Sequence, residues 1–175
     1  MAKNHYIDNK LFLQEMTAYR EVVANAVRLK EIKPRLPEYV GKCFMMIAEN
    51  LSHRPNFIGY SFRDEMISDA IENCVMYADN FDPAKSSNPF AYFTQIVYYA
   101  FLRRIQREKK QLYVKYKSTE MLGVTDEYEQ LESGDGTTRQ FEMYDNISTF
   151  IQNFETAKQM KKEKTKINLE KFIEE

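Results

Sequence analysis

The chain is poor in the residues that punctuate β structure. It has only five glycines and five prolines in 175 residues, too few for a protein built on many tight turns. It is also poor in thiol and imidazole ligands. Two cysteines, Cys43 and Cys74, and two histidines, His5 and His53, are all it has, and none stands at a metal-ligand spacing. The cysteines read as buried thiols of a reducing compartment. No apolar stretch approaches the length of a membrane span, and no secretory pattern follows Met1. The expected location is therefore the cytoplasm. Net charge is close to zero, at −1, and so excludes no class of partner.

What is present favours helix. Apolar residues make up 43% of the chain, with nine methionines, enough for a core and rich in good helix formers. Between Asp8 and about Lys30, Leu11, Phe12, Met16, Tyr19, Val22, Val23, Ala26 and Val27 recur at helical spacing. Pro34 and Pro37 are expected to stop that helix. A second helix is predicted from Pro37 to about Leu51, with Val40, Phe44, Met45, Ile47, Ala48 and Leu51 inward. "HRPNFIGYS" reads as a loop. Ser61 followed by Asp64 resembles a capping box opening a third helix, whose apolar side carries Met66, Ile67, Ala70, Ile71, Cys74, Val75 and Ala78. "NFDPAKSSNP" holds the next turns.

Asn88 then offers an N-cap and Pro89 suits a first helical position. A long helix is predicted from there to around Tyr116. After it the chain turns acidic, with Glu120, Asp126, Glu127, Glu129, Glu132, Asp135, Glu142 and Asp145 against the single base Arg139. A last helical pattern at Phe150, Ile151 and Phe154 leads into "KQMKKEKTK", read as a charged linker, and then the amphipathic tail "INLEKFIEE".

The long helix carries the most information. Tyr92, Gln95, Ile96, Tyr99 and Arg103 share one face by their spacing, while Phe93, Val97, Ala100, Phe101 and Ile105 supply a core side. Arg103, Arg104, Arg107, Lys109, Lys110, Lys115 and Lys117 follow, against the single acid Glu108. Two readings stand side by side. An aromatic stripe at helical spacing is ordinarily core, and a basic run is ordinarily a solvated face. But the helix has more rings than one buried stripe needs, and rings beside cations are the elements of a single-stranded nucleic-acid site.

The segment "DEMISDAIENCVMYADNFDPAKSSNPFAYFTQIVYYAFLRRI" resembles, without gaps, the second conserved region of bacterial sigma factors, the promoter-recognition subunits of RNA polymerase. Through "EMISDAIE", "NFD", "NPFAY", "TQ" and "RI" it is most similar to the late-transcription sigma factors of T-even-type bacteriophages. The likeness covers most of residues 37 to 117. It implies a sigma-like helical domain there, and with the pattern along the rest of the chain the expected fold is all-α, a compact helical domain followed by an acidic, partly irregular C-terminal extension. The expected divisions are an N-terminal helix at 1–36, the sigma-like domain at 37–117, an acidic segment and linker at 118–165, and a tail at 166–175.

The resemblance also implies partners. Glu65, Ser68 and Asp69 match positions that dock on a coiled coil of the largest subunit of the bacterial RNA polymerase core. Without it they read as a solvated helix face, or less well as a catalytic carboxylate pair that lacks any accompanying group. Tyr92 matches the principal aromatic that stacks a flipped base of an AT-rich, minus-ten-like promoter element. Gln95 and Ile96 stand where housekeeping sigma factors carry a Trp pair, a departure that Phe90, Tyr98 and Tyr99 are expected to offset. Tyr99 stands where those factors carry a base-reading Gln. Arg103, Arg104, Arg107, Lys109 and Lys110 are expected on the DNA backbone.

Residues 118–175 offer no basic recognition helix, a reduction shared with the phage factors, which rely on a late-transcription coactivator and on the replication sliding clamp. Leu169, Phe172 and Ile173, flanked by Glu170, Glu174 and Glu175, suit a groove-docking tail for that clamp. The expectation is a binding and DNA-melting subunit in the cytoplasm of an infected host, with no cofactor, no membrane and no enzymatic activity of its own. The alternative is a helical single-strand binder with no polymerase partner.

Overall fold

The computed structural model describes residues 6–122 and 146–163. It is all-helical, with no strand among the described residues. The helices are α1 (Asn9–Leu29), α2 (Glu38–Ser52), α3 (Arg63–Tyr77), which runs into a 3₁₀ turn at Ala78–Asn80, α4 (Pro89–Met121) and α5 (residues 146–163). The chain forms two units, 1–106 and 107–175. The N-terminal helix is thus part of the first unit's core, and the division falls within α4 rather than after Lys117.

The ends of α1 explain its length. Asp8 caps the start, its Oδ1 accepting from the Lys10 and Leu11 backbone N–H groups at 2.9 and 3.3 Å. The helix stops before either proline. Lys30 turns into the left-handed region (φ 55°, ψ 33°), where its N–H donates to the Val27 carbonyl at 3.2 Å and that of Glu31 to the Ala26 carbonyl at 2.9 Å. This is the Schellman arrangement, which normally takes glycine. α4 begins as expected. Asn88 Oδ1 accepts from Ala91 N–H at 3.0 Å, and Asn9 of α1 adds a cap across the fold, accepting from Phe90 N–H at 3.2 Å. The capping box at Ser61 does not form. Phe62 stands at the N-cap of α3 with no side-chain bond, and Asp64 and Glu65 in the first turn favour that end through the helix dipole instead.

The first unit closes around aromatic rings. Phe93 of α4 lies 4.4 Å from Phe44 of α2 and 5.6 Å from Phe12 of α1, ring centre to ring centre, and all three are fully buried. Burial of one such side chain stabilises by roughly 1.5–3 kcal/mol. Around them pack Met16, Val40, Ile47, Met66, Ala70, Cys74, Val97 and Phe101. Burial pushes the Cys74 thiol up to about 12, the state of an inert core cysteine. Phe57 is buried against Phe101 at 5.1 Å, so the loop after α2 is pinned by an apolar anchor. Met45, expected inward, is exposed, as are Leu11, Val22 and Val27 of the α1 pattern and Val75 of the α3 pattern.

α1 also holds the turn between α3 and α4. Arg20 Nη1 donates to the Phe81 carbonyl at 2.9 Å and pairs with Asp82 Oδ1 at 2.7 Å, while Lys33, beyond the helix end, pairs with Asp79 at 2.7 Å.

The described residues of the second unit form a helical pair. Tyr113 of α4 stacks on Phe154 of α5 at 4.4 Å and 17°, and Tyr116 meets Phe150 edge-on at 5.5 Å. As position rises on one helix it falls on the other, so the two run antiparallel. Ile151 is buried, Tyr113 Oη donates to Glu155 Oε1 at 2.9 Å, and Lys117 lies 3.7 Å from the same carboxylate. The expected charged linker is helical through residue 163, as its Lys, Gln, Met and Glu content allows, and α4 continues past Tyr116 to Met121.

Candidate nucleic-acid interface

α4 within the first unit has one side committed to the core and one to solvent. Phe93, Val97, Ala100, Phe101 and Ile105 are buried. Opposite them, Tyr92, Gln95, Tyr99 and Arg103 form a line at i, i+3, i+7 and i+11, with Gln95, Tyr99 and Arg103 exposed. Tyr99 is 50% exposed and its neighbour Tyr98 40%. Their rings meet edge-on at 5.7 Å, and Tyr98 rests against Phe57 at 5.8 Å. Ile96 is half-buried on the core flank.

Tyr92 is half-buried and braced. Its ring lies 5.3 Å from Phe81 and 5.0 Å from Phe93, the latter at 88°. Burial, then the neighbouring Cys74, raises its phenol above the usual tyrosine value, so it stays a neutral hydroxyl over the whole working range. Phe90 does not join the line. It faces the core side of the helix start and meets Tyr6 edge-on at 5.7 Å.

The paired arginines separate sharply. Arg103 Nη2 donates to Asn73 Oδ1 at 2.7 Å, which orients an exposed guanidinium that carries further N–H donors. Arg104 turns inward. Its Nη1 reaches Asp69 Oδ2 at 3.3 Å, with the two side chains only 17% and 26% exposed. Arg104 is therefore a clasp between α4 and α3, not a group presented to a phosphate. The same contact draws Asp69 into the fold. Glu65 and Ser68 remain exposed on α3, Ser68 Oγ donating back to the Asp64 carbonyl at 3.0 Å. Arg107, Lys109 and Lys110 are exposed on the α4 stretch of the second unit. The tail residues Leu169, Phe172 and Ile173, and the acids from 126 to 145, lie outside the described residues.

Four side chains that spacing does not announce complete the arrangement: Phe81 under Tyr92, Arg20 holding Phe81, Asn73 orienting Arg103, and Phe57 under Tyr98. Of these, Phe81 belongs to the "NFD" turn, where an aromatic among turn residues is a legible anchor. The others act across 30 to 61 residues of sequence. Among the described residues, no group of His, Cys, Asp and Glu could hold a metal ion, and no helix is long and apolar enough to cross a membrane. No protein-family model matches the chain, and no curated protein matches its sequence.

Proposed function

We propose that this protein is a promoter-binding and DNA-melting subunit of RNA polymerase, a sigma factor of the phage late-transcription type. Tyr92, Gln95, Tyr98 and Tyr99 hold unpaired bases of an AT-rich element, and Arg103 holds the adjoining backbone. Glu65 and Ser68 dock on the largest subunit of bacterial core polymerase. The tail at Leu169, Phe172 and Ile173 engages the sliding clamp, a coactivator assists, and polymerase supplies the catalysis. The observation that carries this reading is the line of Tyr92, Gln95, Tyr99 and Arg103, half-buried at Tyr92 and exposed beyond it, on a helix whose other side is fully packed. Rings left in water beside a cation have a use when bases stack on them.

Each stacked ring is worth about 1–3 kcal/mol, or roughly five- to 150-fold. Tyr92→Ala and Tyr99→Ala are expected to lower promoter opening by that much, while binding to core polymerase holds. Tyr92→Phe, which keeps the ring on Phe81, is expected to retain most of the opening. Fluorescence of 2-aminopurine in an AT-rich promoter reports opening, and pull-down with purified core polymerase reports docking. Failure of the unsubstituted chain to associate with core polymerase would leave the single-strand binder, which the same aromatic line favours.

A further inference from the structure

The antiparallel pairing of the second unit has a consequence for charge. From Tyr113, Lys110 and Lys109 lie one turn toward the α4 N-terminus, at i−3 and i−4, and Arg107 lies nearly two turns away. From its stacking partner Phe154, Lys158 lies one turn toward the α5 C-terminus, at i+4, and Lys161 and Lys162 two turns, at i+7 and i+8. Because the helices run in opposite directions, both displacements point to the same end of the pair, one turn being about 5.4 Å. Packed helices stand about 8–10 Å apart. Six exposed cations, Arg107, Lys109, Lys110, Lys158, Lys161 and Lys162, thus meet at one end against the acids Glu108 and Glu163.

The facing sides themselves change character there. On α5 the side that carries Phe150, Ile151 and Phe154 continues as Lys158, Lys161 and Lys162, and on α4 Tyr116 and Tyr113 give way to Lys110 and Lys109. Arg107 and Lys110, at i and i+3, and Lys158 and Lys162, at i and i+4, are like-charge pairs that repel by a few tenths of a kcal/mol each, a cost that a bound anion removes. The helix dipole favours cations near a C-terminus, but Arg107, Lys109 and Lys110 sit in mid-helix, where it has no hold.

We infer that this end of the helical pair is a second binding site, formed jointly by α4 and α5, for the phosphate backbone of duplex DNA. Duplex rather than single strand follows from the rings. Tyr113, Tyr116, Phe150 and Phe154 pack on one another, so among the described residues this end offers cations without a stacking platform, and contacts of that kind position DNA without reading sequence. The choice of DNA as the polyanion rests on the promoter-binding reading. The contribution of Lys158, Lys161 and Lys162 turns the expected linker into part of the interface.

The test uses the full chain, no polymerase, and a random-sequence duplex followed by fluorescence anisotropy across a salt series. Each phosphate contact contributes about 0.9 to the slope of log K against log salt. The variant K158Q/K161Q/K162Q is expected to bind about tenfold or more weakly at low salt, with the slope reduced by about two to three. K158R/K161R/K162R is expected to keep both, and helicity by circular dichroism is expected unchanged in either. Unchanged affinity and slope in the Gln variant, an equal loss in the Arg variant, or a loss confined to a single-stranded oligonucleotide would overturn the inference. So would an unsubstituted chain that does not bind duplex. Failure of the promoter-binding reading shows elsewhere, as a chain that binds duplex through these lysines yet does not associate with core polymerase.

Discussion

Phe93 and Tyr113 stand on one helix, twenty residues apart, and are held in opposite ways. Phe93 is surrounded by rings from α1, from α2 and from the turn before α4, and water does not reach it. Tyr113 has one neighbour, Phe154, against its face and one, Glu155, on its hydroxyl. The first unit is closed by volume filled from several directions. The second is a ladder of ring and ion pairs between two helices. A three-sided core gives rigidity that can brace an exposed aromatic line on its far side. Most of the described residues on this ladder are exposed, which suits a charged surface better than a shaped pocket.

The largest expected difference between the two units lies in what the loss of one ring costs. Phe93→Ala is expected to destabilise the protein by about 3–5 kcal/mol, because the cavity it leaves has walls on every side and cannot collapse. Tyr113→Ala is expected to cost about 1–2 kcal/mol, the ring pair and a partly exposed hydrogen bond. Urea denaturation followed by circular dichroism measures both. Equal losses would mean that α5 is as deeply integrated as the core.

Next come the adjacent arginines. Arg104→Gln is expected to destabilise by about 2 kcal/mol, below the cost of breaking a fully buried pair because Asp69 keeps some water. It should leave DNA affinity per folded molecule unchanged. Arg103→Gln is expected to cost less than about 0.5 kcal/mol of stability, as exposed substitutions do, yet to weaken single-stranded DNA binding and flatten its salt dependence. Denaturation and anisotropy on both variants sharpen the division between the packed side of α4 and its open side. An Arg104 variant that unfolds at the same urea concentration but loses DNA would invert it.

The helical periods were legible, because i, i+3, i+4 spacing is local information, and they located the buried Phe12, Phe44, Phe93, Val97 and Phe101. The exposed line on α4 followed from the same arithmetic. What spacing could not carry was pairing at a distance. Arg103 and Arg104 are chemically alike, and only the position of α3 decides that one meets Asn73 at the surface while the other is drawn to Asp69. Nor does a lysine announce a left-handed cap, and the prolines beyond it are the more visible stop signal for α1. The run "KQMKKE" illustrates a different failure. Charge density suggested a linker, whereas each residue type there is a good helix former and the ring pairs upstream supply the packing.

A smaller effect concerns that cap. Lys30 sits at φ 55°, where a Cβ crowds the following carbonyl and costs roughly 1 kcal/mol. Lys30→Gly removes the crowding but frees the unfolded chain. The net gain expected is at most about 0.5 kcal/mol, seen as a slightly higher urea midpoint with an unchanged slope. A loss would show that the lysine side chain contributes contacts beyond the cap.

The smallest effect concerns Asp82 and is best read as a shape rather than a magnitude. The Ala84 N–H, at 3.1 Å, and then Arg20 hold its carboxyl below the ordinary 3.8. A carboxylate whose folded value is lowered contributes stability above its unfolded value and loses it as pH falls through the folded one. Thermal midpoints of the unsubstituted chain and of Asp82→Asn should therefore differ near neutrality and converge in acid, below 3.8. Arg20→Gln should narrow the gap only in part, since the Ala84 N–H remains. It should also cost promoter opening, because Arg20 holds the Phe81 carbonyl and Phe81 braces Tyr92. If Arg20→Gln lowers the midpoint but leaves opening intact, the brace under Tyr92 is supplied by Phe93 alone, and the turn between α3 and α4 is a structural strap with no part in stacking.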